Sequence, residues 1–511
     1  MSEREWREAS DMRPSKLGLA VVLIVAAVLR FWALGHGIPF ALGVDEPEIM
    51  ERAVAMMKSG SFNPHFFDYP GFYIHLQAAV ASVRFLAGAL GGAWGSLDQA
   101  PVEAFYLWGR AVTALFGVAT VLLVFHVAMR WGARYALLAA GLMAVLPAHV
   151  RESHYVLTDV PLTFFVTLTL LLSLRAHERG TAVAFFWAGA AAGLATATKY
   201  NGALAALMPL LACWLSTQVR PSRLAATLAV IGAAAAAFLL AAPYTILDLP
   251  GFLNGFAKLA GEYRADPVSP DPIWMTYLKH LRGIFGWPGM ALTAAGFGLS
   301  LVRLVQGPGR ARWALVAVFP LIYFVFISRQ TIVFARYLLP IFPPLCVLTS
   351  IAVVSGVSLL RRFEIPRAPR TALIVGLTVL AILPPAVTAV SFDRMIGRQG
   401  TVALAYDWIQ QNIPPKSVVV VESRGMLLPP HYVASNTPQL TLRDYADYRR
   451  EGVQYLVASS QSYGPFFGNP QRFPKEYAAY MTIFEQSREL VRFTPSRDRP
   501  GPELRIMKVE P

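Results

Sequence analysis

Charged residues are scarce in this chain. Only 15% of its 511 residues are Asp, Glu, Lys or Arg, whereas 55% are hydrophobic. A soluble domain carries roughly 25% charged residues, so this composition excludes an ordinary soluble protein and indicates a membrane protein. Cysteine is also rare: Cys213 and Cys346 both fall inside apolar runs, which argues against a disulfide framework and a cysteine metal site.

Internal repeats and low-complexity segments are missing as well. No period of 20–50 residues recurs, which argues against repeat architectures and against the matched halves of many transporters. The first apolar run is not followed by a small-residue cleavage pattern, so we expect it to remain in the protein as a span.

Long apolar runs are abundant over residues 1–390, each long enough to span or nearly span a bilayer. They predict a mainly α-helical, polytopic membrane bundle with about eleven spans. The expected spans are 17–36, 105–129, 135–150, 160–174, 181–198, 202–219, 224–243, 284–302, 313–328, 338–360 and 371–390.

The chain changes character from about residue 391. The stretch TVALAYDWIQQNI predicts an amphipathic helix, and SVVVVE, VQYLVAS and LRIMKV predict short strands. Residues 391–511 are therefore expected to form a small extracytoplasmic α/β domain.

The net charge of +14 is concentrated in short loops between the apolar runs. This is the distribution that membrane topology produces, not the basic face of a nucleic-acid-binding protein. Arginines alternate with acids from loop to loop, which predicts a cytoplasmic N-terminus and places the loop 37–104 and the C-terminal tail outside. The stretch 72–91 contains His75, Gln77 and Arg84, and we expect it to lie in the outer interface instead of crossing.

Two adjacent carboxylates, Asp45 and Glu46, follow the first apolar run in the sequence LGVDEPEIM. Ionisable groups near membrane segments indicate functional sites. An Asp before Glu-Pro-Glu is also a good helix N-cap, and the two roles are compatible. Acids and bases from five separate loops fall on the predicted outer side, which suits a reaction joining an anionic group to an acceptor hydroxyl or amine.

Several motifs then resemble one family. DEPE, GRAVTALFG, HYVLTDVPLTFF, TKYNG, ARYLLPIFPPL and TVALAYDWIQQNIPPKSVVV are similar in order and spacing to family-39 and family-83 glycosyltransferases of the GT-C fold. These are the protein O-mannosyltransferases and the aminoarabinose transferases of lipid A. The resemblance implies an inverting glycosyltransferase that moves a sugar from a polyprenyl-phosphate carrier to a protein, lipid or glycan acceptor. It further implies an active site at the outer face of a bacterial-type inner membrane.

The resemblance also implies roles for individual residues. Asp45 corresponds to the general base, Glu46 to its support, and Asp159 to a second acidic position. The donor phosphate would be held by Arg110, Arg336 and Lys199. Each assignment has a structural alternative: Asp159 can cap a helix, Arg110 can snorkel to the interface, Arg336 can pair with an acid, and Lys199 can simply form a hairpin tip.

One motif departs from the family. Many relatives carry KPPL where this chain has YPGF, so a donor-contacting lysine is replaced by Tyr69. We expect Tyr69, His75, His154 and Tyr155 to line the donor or acceptor pocket. The scattered histidines show no HxxxH or HxxE pair on one helix, so no cofactor is indicated with certainty and a divalent cation stays open.

Two other functions stay open from the residues alone. A polytopic transporter would also concentrate charges in a membrane bundle, although usually with repeats and interrupted spans. A lipid-linked oligosaccharide ligase has a similar number of spans but a long late loop, whereas the long loop here comes first.

Overall fold

The computed structural model describes residues 15–39, 43, 45–263, 272–306, 309–359, 366–422, 426–496 and 498–510. The chain forms two compact units. One unit comprises Met1–Leu34 and Glu48–Val390, and the other comprises Gly35–Pro47 and Ser391–Pro511. The short segment that carries Asp45 and Glu46 therefore groups with the C-terminal residues.

The first unit is a helical bundle. Its helices, with α2 and α16 running across the unit boundaries, are α1 Lys16–Phe31, α2 Glu46–Ser59, α3 Phe72–Leu90, α4 Glu103–Ala128, α5 Ala133–Val145, α6 Pro147–Glu152, α7 Asp159–Arg179, α8 Ala182–Thr198, α9 Leu207–Leu215, α10 Arg223–Ala241, α11 Tyr244–Leu247, α12 Leu249–Glu262, α13 Ile273–Gln306, α14 Arg310–Ile327, α15 Phe342–Leu359 and α16 Arg367–Ile396. Three 3₁₀ segments, Met129–Trp131, Tyr200–Ala206 and Ala335–Ile341, connect them.

Each of the eleven predicted apolar segments contains a helix within the described residues, because a chain in hydrocarbon must satisfy its backbone polar groups within itself. Within the described residues, eight helices are long and apolar enough to cross a membrane. Phe72–Leu90 is one of the eight. Its predicted position in the outer interface, and the number of spans, therefore stay predictions.

Side-chain caps mark where several of these helices begin. The hydroxyls of Ser15, Thr181 and Ser222 accept hydrogen bonds from the first-turn amides of α1, α8 and α10. The carboxylate of Asp248 does the same for α12 by accepting from the Gly251 amide at 3.1 Å. These contacts satisfy amides that the helix itself leaves without a partner.

Helices α8 and α10 approach each other closely because glycines remove side chains from their contact. A Cβ on Gly189 would lie 2.4 Å from the Val230 carbonyl oxygen, and one on Gly193 would lie 2.3 Å from that of Ala234. Both obstacles are backbone atoms, which cannot rotate away. Small residues at such spacing are the usual means by which membrane helices pack.

We expect Gly193→Val to destabilise the bundle by about 1–3 kcal/mol, because the added carbons force the two backbones apart. The matched control is Gly232→Val on α10, where a Cβ would meet nothing within 4 Å. The measurement is the temperature at which each detergent-solubilised variant loses its monodisperse elution peak. Equal melting of the two variants would contradict the packing assigned to Gly193.

The second unit contains a five-stranded mixed sheet. Its elements are α17 Thr401–Asn412, β1 Val418–Glu422, β2 Val433–Thr437, α18 Tyr445–Arg450, β3 Tyr455–Ser459, α19 Ser460–Gly468, α20 Pro474–Gln486, β4 Ser487–Phe493 and β5 Leu504–Val509. The strand order is β2-β1-β3-β5-β4, with β1 parallel to both neighbours and β5 antiparallel to both of its own. The predicted helix and three predicted strands are present, and the structure adds β2 and β4.

Both faces of this sheet are covered by apolar side chains. Val420 and Leu456 face a cluster with α18, α19 and α20, whereas Val419 and Val457 face one with α17. The buried carboxylate of Glu422 ends β1 and accepts from the amides of Leu440 and Ser459, each at 2.8 Å, and from the Tyr480 hydroxyl. Burial raises the pKa of Glu422, while these three donors oppose that rise.

Candidate active site

A buried carboxylate in the first unit is held by two cations. Asp159 opens α7, Lys199 follows the last residue of α8, and Arg336 lies in the 3₁₀ segment before α15. Lys199 Nζ lies 2.7 Å from Asp159 Oδ1, and Arg336 Nε lies 3.7 Å from Asp159 Oδ2. Because each residue sits at a helix terminus, the bundle brings together side chains that are far apart in sequence. We call these three residues the Asp159 cluster.

The cluster bears on three of the structural alternatives, and Arg336 does pair with an acid, as its alternative stated. The N-cap of α7 is Thr158, and the Asp159 carboxylate is used in ion pairs. Lys199 is 8% exposed and Asp159 is 3% exposed, so Lys199 is a buried ion-pair partner instead of a solvated hairpin tip. A buried pair costs desolvation energy, which is recovered only with good geometry.

Aromatic rings surround the ammonium group of Lys199. Its nitrogen lies 4.6 Å from the ring centre of Tyr337 and 5.8 Å from that of Tyr69. Arg336 lies over Phe334 at 4.5 Å, and the Tyr337 hydroxyl contacts that of Tyr263 at 2.8 Å. Rings of this kind stabilise a cation by their quadrupole. Tyr69, expected at the pocket, is thus brought to the cluster.

The segments that carry the cluster are tied to the loop before α3. The Tyr200 hydroxyl donates to the Phe67 carbonyl at 2.9 Å, next to Lys199 in sequence. Asn63 donates to the Asp248 carboxylate at 2.8 Å, which links this loop to the start of α12. Hydrogen bonds between loops fix their backbones, so the site is positioned by more than the helix ends.

Arg110 makes different contacts from those of Lys199 and Arg336. It is fully buried in α4, donates to the Leu34 carbonyl at 2.9 Å and lies 5.6 Å from the ring centre of Tyr155. Complete burial is not the geometry of an arginine that snorkels to the interface. Its donor-phosphate role stays a prediction.

The two predicted pocket histidines are bound to backbone oxygens. His154 contacts the carbonyls of Val150 at 2.9 Å and Trp32 at 3.0 Å. His75 contacts those of Gly71 at 2.6 Å and Phe62 at 3.0 Å, and it stacks on Tyr244. In both side chains each ring nitrogen lies within hydrogen-bond distance of a backbone carbonyl, and the nitrogen that carries the proton donates to it, so each histidine is held against the local backbone.

Asp45 and Glu46 lie in the segment Gly35–Pro47 of the second unit. Asp45 directly precedes α2 and is half-buried, and Glu46 is the first residue of the helix and fully buried. The Glu46 carboxylate accepts from the Gly43 amide at 2.7 Å, and its own amide donates to the Gly43 carbonyl at 3.1 Å. Glu46 is therefore hydrogen-bonded to Gly43 through both its side chain and its backbone, and its role in supporting a base at Asp45 stays a prediction.

One buried residue that the sequence analysis missed is Arg30 near the end of α1. Its guanidinium donates to the carbonyls of Ala144 at 2.9 Å and Met143 at 3.2 Å, and it contacts His149 Nδ1 at 3.0 Å. It thereby satisfies the carbonyl oxygens that end α5. The sequence did contain a signal for this role, because an arginine inside an apolar run indicates a buried and partnered charge.

Glu152 is a second buried carboxylate near the cluster. It is 5% exposed and pairs with Arg151 at 2.6 Å. Burial raises its pKa, the nearby Asp159 charge adds to the rise, and Arg151 and Arg336 oppose it. Its position in the sequence, a few residues before Asp159, was visible, but its burial was not.

A metal site is not assigned. Among the residues that the structure describes, no three His, Cys, Asp or Glu side chains come together in an arrangement that could hold an ion.

A bundle of apolar helices, with acids, cations and aromatic rings gathered at the helix ends, defines an integral membrane protein. Residues 22–255, slightly less than half of the chain, match the family model described as dolichyl-phosphate-mannose-protein mannosyltransferase. This match includes Asp45, Arg110, Asp159 and Lys199. No curated protein sequence matches the chain.

Solved structures share the fold at low sequence identity. The apo ArnT of Cupriavidus metallidurans is 16% identical, with a TM-score of 0.56, and the similarity covers 97% of this chain and 98% of ArnT. The apo oligosaccharyltransferase of Archaeoglobus fulgidus is 14% identical, with a TM-score of 0.55, covering 87% of this chain and 69% of that protein. The predicted GT-C fold is confirmed by these structures.

Proposed function

We propose that this protein is an inverting glycosyltransferase that takes its sugar from a polyprenyl-phosphate carrier. The acceptor is a protein, lipid or glycan at the outer face of a bacterial-type inner membrane. The observation that carries the proposal is the buried Asp159 cluster, in which Lys199 and Arg336 converge from separate helix ends. Two converging cations suit a phosphate, which needs charge-assisted hydrogen bonds.

Two similar structures support the choice of donor. The ArnT of Cupriavidus metallidurans has been solved bound to undecaprenyl phosphate, and the AglB of Archaeoglobus fulgidus with an inhibitory peptide and a dolichol-phosphate. Together with the matched family model, they favour a polyprenyl-phosphate sugar here. Because YPGF stands in place of KPPL, the phosphate contacts differ from those of many relatives.

The proposed reaction uses four groups. Asp45 takes the proton from the acceptor, whose oxygen or nitrogen attacks the anomeric carbon. The bond from that carbon to the phosphate oxygen breaks, and both electrons stay on the oxygen. Lys199, Arg336 and Arg110 stabilise the charge that develops on the phosphate, which is usually the larger catalytic contribution.

The function is tested with lipid-linked donors. Purified protein is incubated with a panel of labelled polyprenyl-phosphate sugars, and consumption of the donor and release of polyprenyl phosphate are followed. We expect one donor class to be consumed by the wild type and not by Asp45→Asn. If no donor is consumed, but substrate accumulates in proteoliposomes that contain the protein, the transporter alternative is correct.

The proposed orientation gives a second prediction. Cysteines introduced at the exposed Ser61 and Ser435 should react with a membrane-impermeant maleimide in intact spheroplasts, because both lie in segments assigned to the outside. A cysteine at Ser222, in a loop assigned to the cytoplasm, is the matched control and should react only after permeabilisation. The native Cys213 and Cys346 are buried and should contribute little background. Labelling in the reverse pattern would overturn the orientation.

A further inference from the structure

The Asp159 carboxylate forms ion pairs with Lys199 and Arg336, the two cations that are proposed to hold phosphate. One of its oxygens lies 2.7 Å from Lys199 Nζ, and the other lies 3.7 Å from Arg336 Nε. Asp159 and Lys199 are almost entirely buried, so solvent and salt screen these charges only weakly. The cluster therefore offers a phosphate one net positive charge, where the two cations alone would offer two.

The charge on the phosphate changes during the proposed reaction. In the donor, the phosphate is a diester with a single negative charge. When the bond to the anomeric carbon breaks, the product is a phosphate monoester, which carries about −1.5 to −2 charges at pH 7. Two uncompensated cations would thus bind the product much more tightly than the donor. An enzyme with such a site would release its product slowly.

We propose that Asp159 weakens binding of the polyprenyl phosphate product relative to the donor, by holding a fixed negative charge against Lys199 and Arg336. It is a positioning residue for these cations and a determinant of product release. This inference rests on the proposed function, because it requires a phosphate at Lys199 and Arg336.

Among the residues that the structure describes, Asp159 forms ion pairs with both Lys199 and Arg336. Glu152 is close enough to interact electrostatically with Asp159 and Arg336, but it is paired with Arg151 at 2.6 Å. Tyr323 and Tyr337 also face Asp159 and carry no charge as phenols. Removal of the Asp159 charge therefore changes the field at both cations directly.

Three variants separate charge from geometry. Asp159→Asn keeps the shape and raises the net charge of the cluster to two, and Lys199→Met lowers it to zero. The double variant restores it to one. We expect affinity for polyprenyl phosphate to follow the net charge, with Asp159→Asn tightest, the wild type and the double variant similar, and Lys199→Met weakest. Asp159→Asn should increase the affinity for the product by on the order of ten- to a hundredfold. It should increase the affinity for the singly charged donor by about the square root of that factor.

Two kinetic readouts distinguish this role from a merely structural one. Asp159→Asn should show a burst of one turnover followed by slow steady turnover, because release of the product becomes limiting. Its excess affinity for the product should also shrink below about pH 6, where a phosphate monoester loses its second charge. Loss of packing alone would produce neither effect.

The experiment uses the full chain in nanodiscs, with polyprenyl phosphate as the probe. Equal or weaker product binding in Asp159→Asn, with binding lost in Lys199→Met, would overturn the inference and leave the phosphate pocket standing. Product binding that is unchanged in all three variants would overturn the pocket itself. If Asp159→Asn does not fold, the double variant decides: its product affinity must lie near that of the wild type and well above that of Lys199→Met.

Discussion

Asp45→Asn is expected to slow single-turnover sugar transfer by about 100-fold or more, with donor binding nearly unchanged. Asparagine keeps the size of the side chain and caps a helix about as well as aspartate, but it cannot take up a proton at neutral pH. The change therefore removes the proposed base and leaves the start of α2 intact. The measurement is sugar transfer in nanodiscs with enzyme in excess over donor, alongside donor binding.

Glu46→Gln is the matched control for this variant. The Glu46 carboxylate accepts from the Gly43 amide at 2.7 Å, and the carbonyl oxygen of glutamine can accept the same hydrogen bond. Its effect should therefore be much smaller than that of Asp45→Asn. Near-normal turnover in Asp45→Asn would make the carboxylate pair structural, and the proposed mechanism would lose its base.

Lys199→Met is expected to cost about 3–5 kcal/mol of stability, because it leaves the buried Asp159 carboxylate with only the more distant Arg336. In the folded fraction, affinity for the donor should fall by a further 1.5–3 kcal/mol, roughly one charged hydrogen bond to phosphate. Thermal unfolding in detergent reports the first effect, and binding of a labelled donor reports the second.

Two comparisons make this result interpretable. Lys258→Met removes a lysine that is 67% exposed and lies 3.8 Å from Glu262, and an exposed pair of this kind contributes about 0–1 kcal/mol. Adding Asp159→Asn to Lys199→Met should recover much of the lost stability, because no unpaired carboxylate remains. If Lys199→Met lowers the thermal stability no more than Lys258→Met does, the buried Asp159–Lys199 pair does not stabilise the site.

The helices were predictable from sequence because of the solvent that surrounds them. A bilayer tolerates a spanning segment only if it is apolar and satisfies its own backbone, so hydropathy and helical structure coincide. The stretch 72–91 shows where this reasoning is ambiguous: it carries His75, Gln77 and Arg84, yet its helix is long and apolar enough to cross. Length and composition alone do not separate the two placements.

The sheet was only partly predictable. Strands β1 and β3 each have four of five residues buried, β5 has three of six, and all three appear as apolar runs in the sequence. Strand β2 is exposed along most of its length, and β4 is interrupted by a bulge between Glu489 and Val491. An exposed edge strand and a bulged strand lack the alternation that identifies a half-buried strand.

The sequence by itself determined the class of protein, the apolar helices and the residue types at the site, because each follows from local composition and motif order. It also singled out Asp159, Lys199 and Arg336, but as three separate residues with separate alternatives. Only the tertiary structure decided that Asp159 pairs with both Lys199 and Arg336, and that Tyr337 and Tyr69 face the lysine. It also decided that Arg30 donates hydrogen bonds to the carbonyl oxygens at the end of α5. These contacts join helix ends that are 40 to 177 residues apart, and no local pattern encodes which helix ends meet.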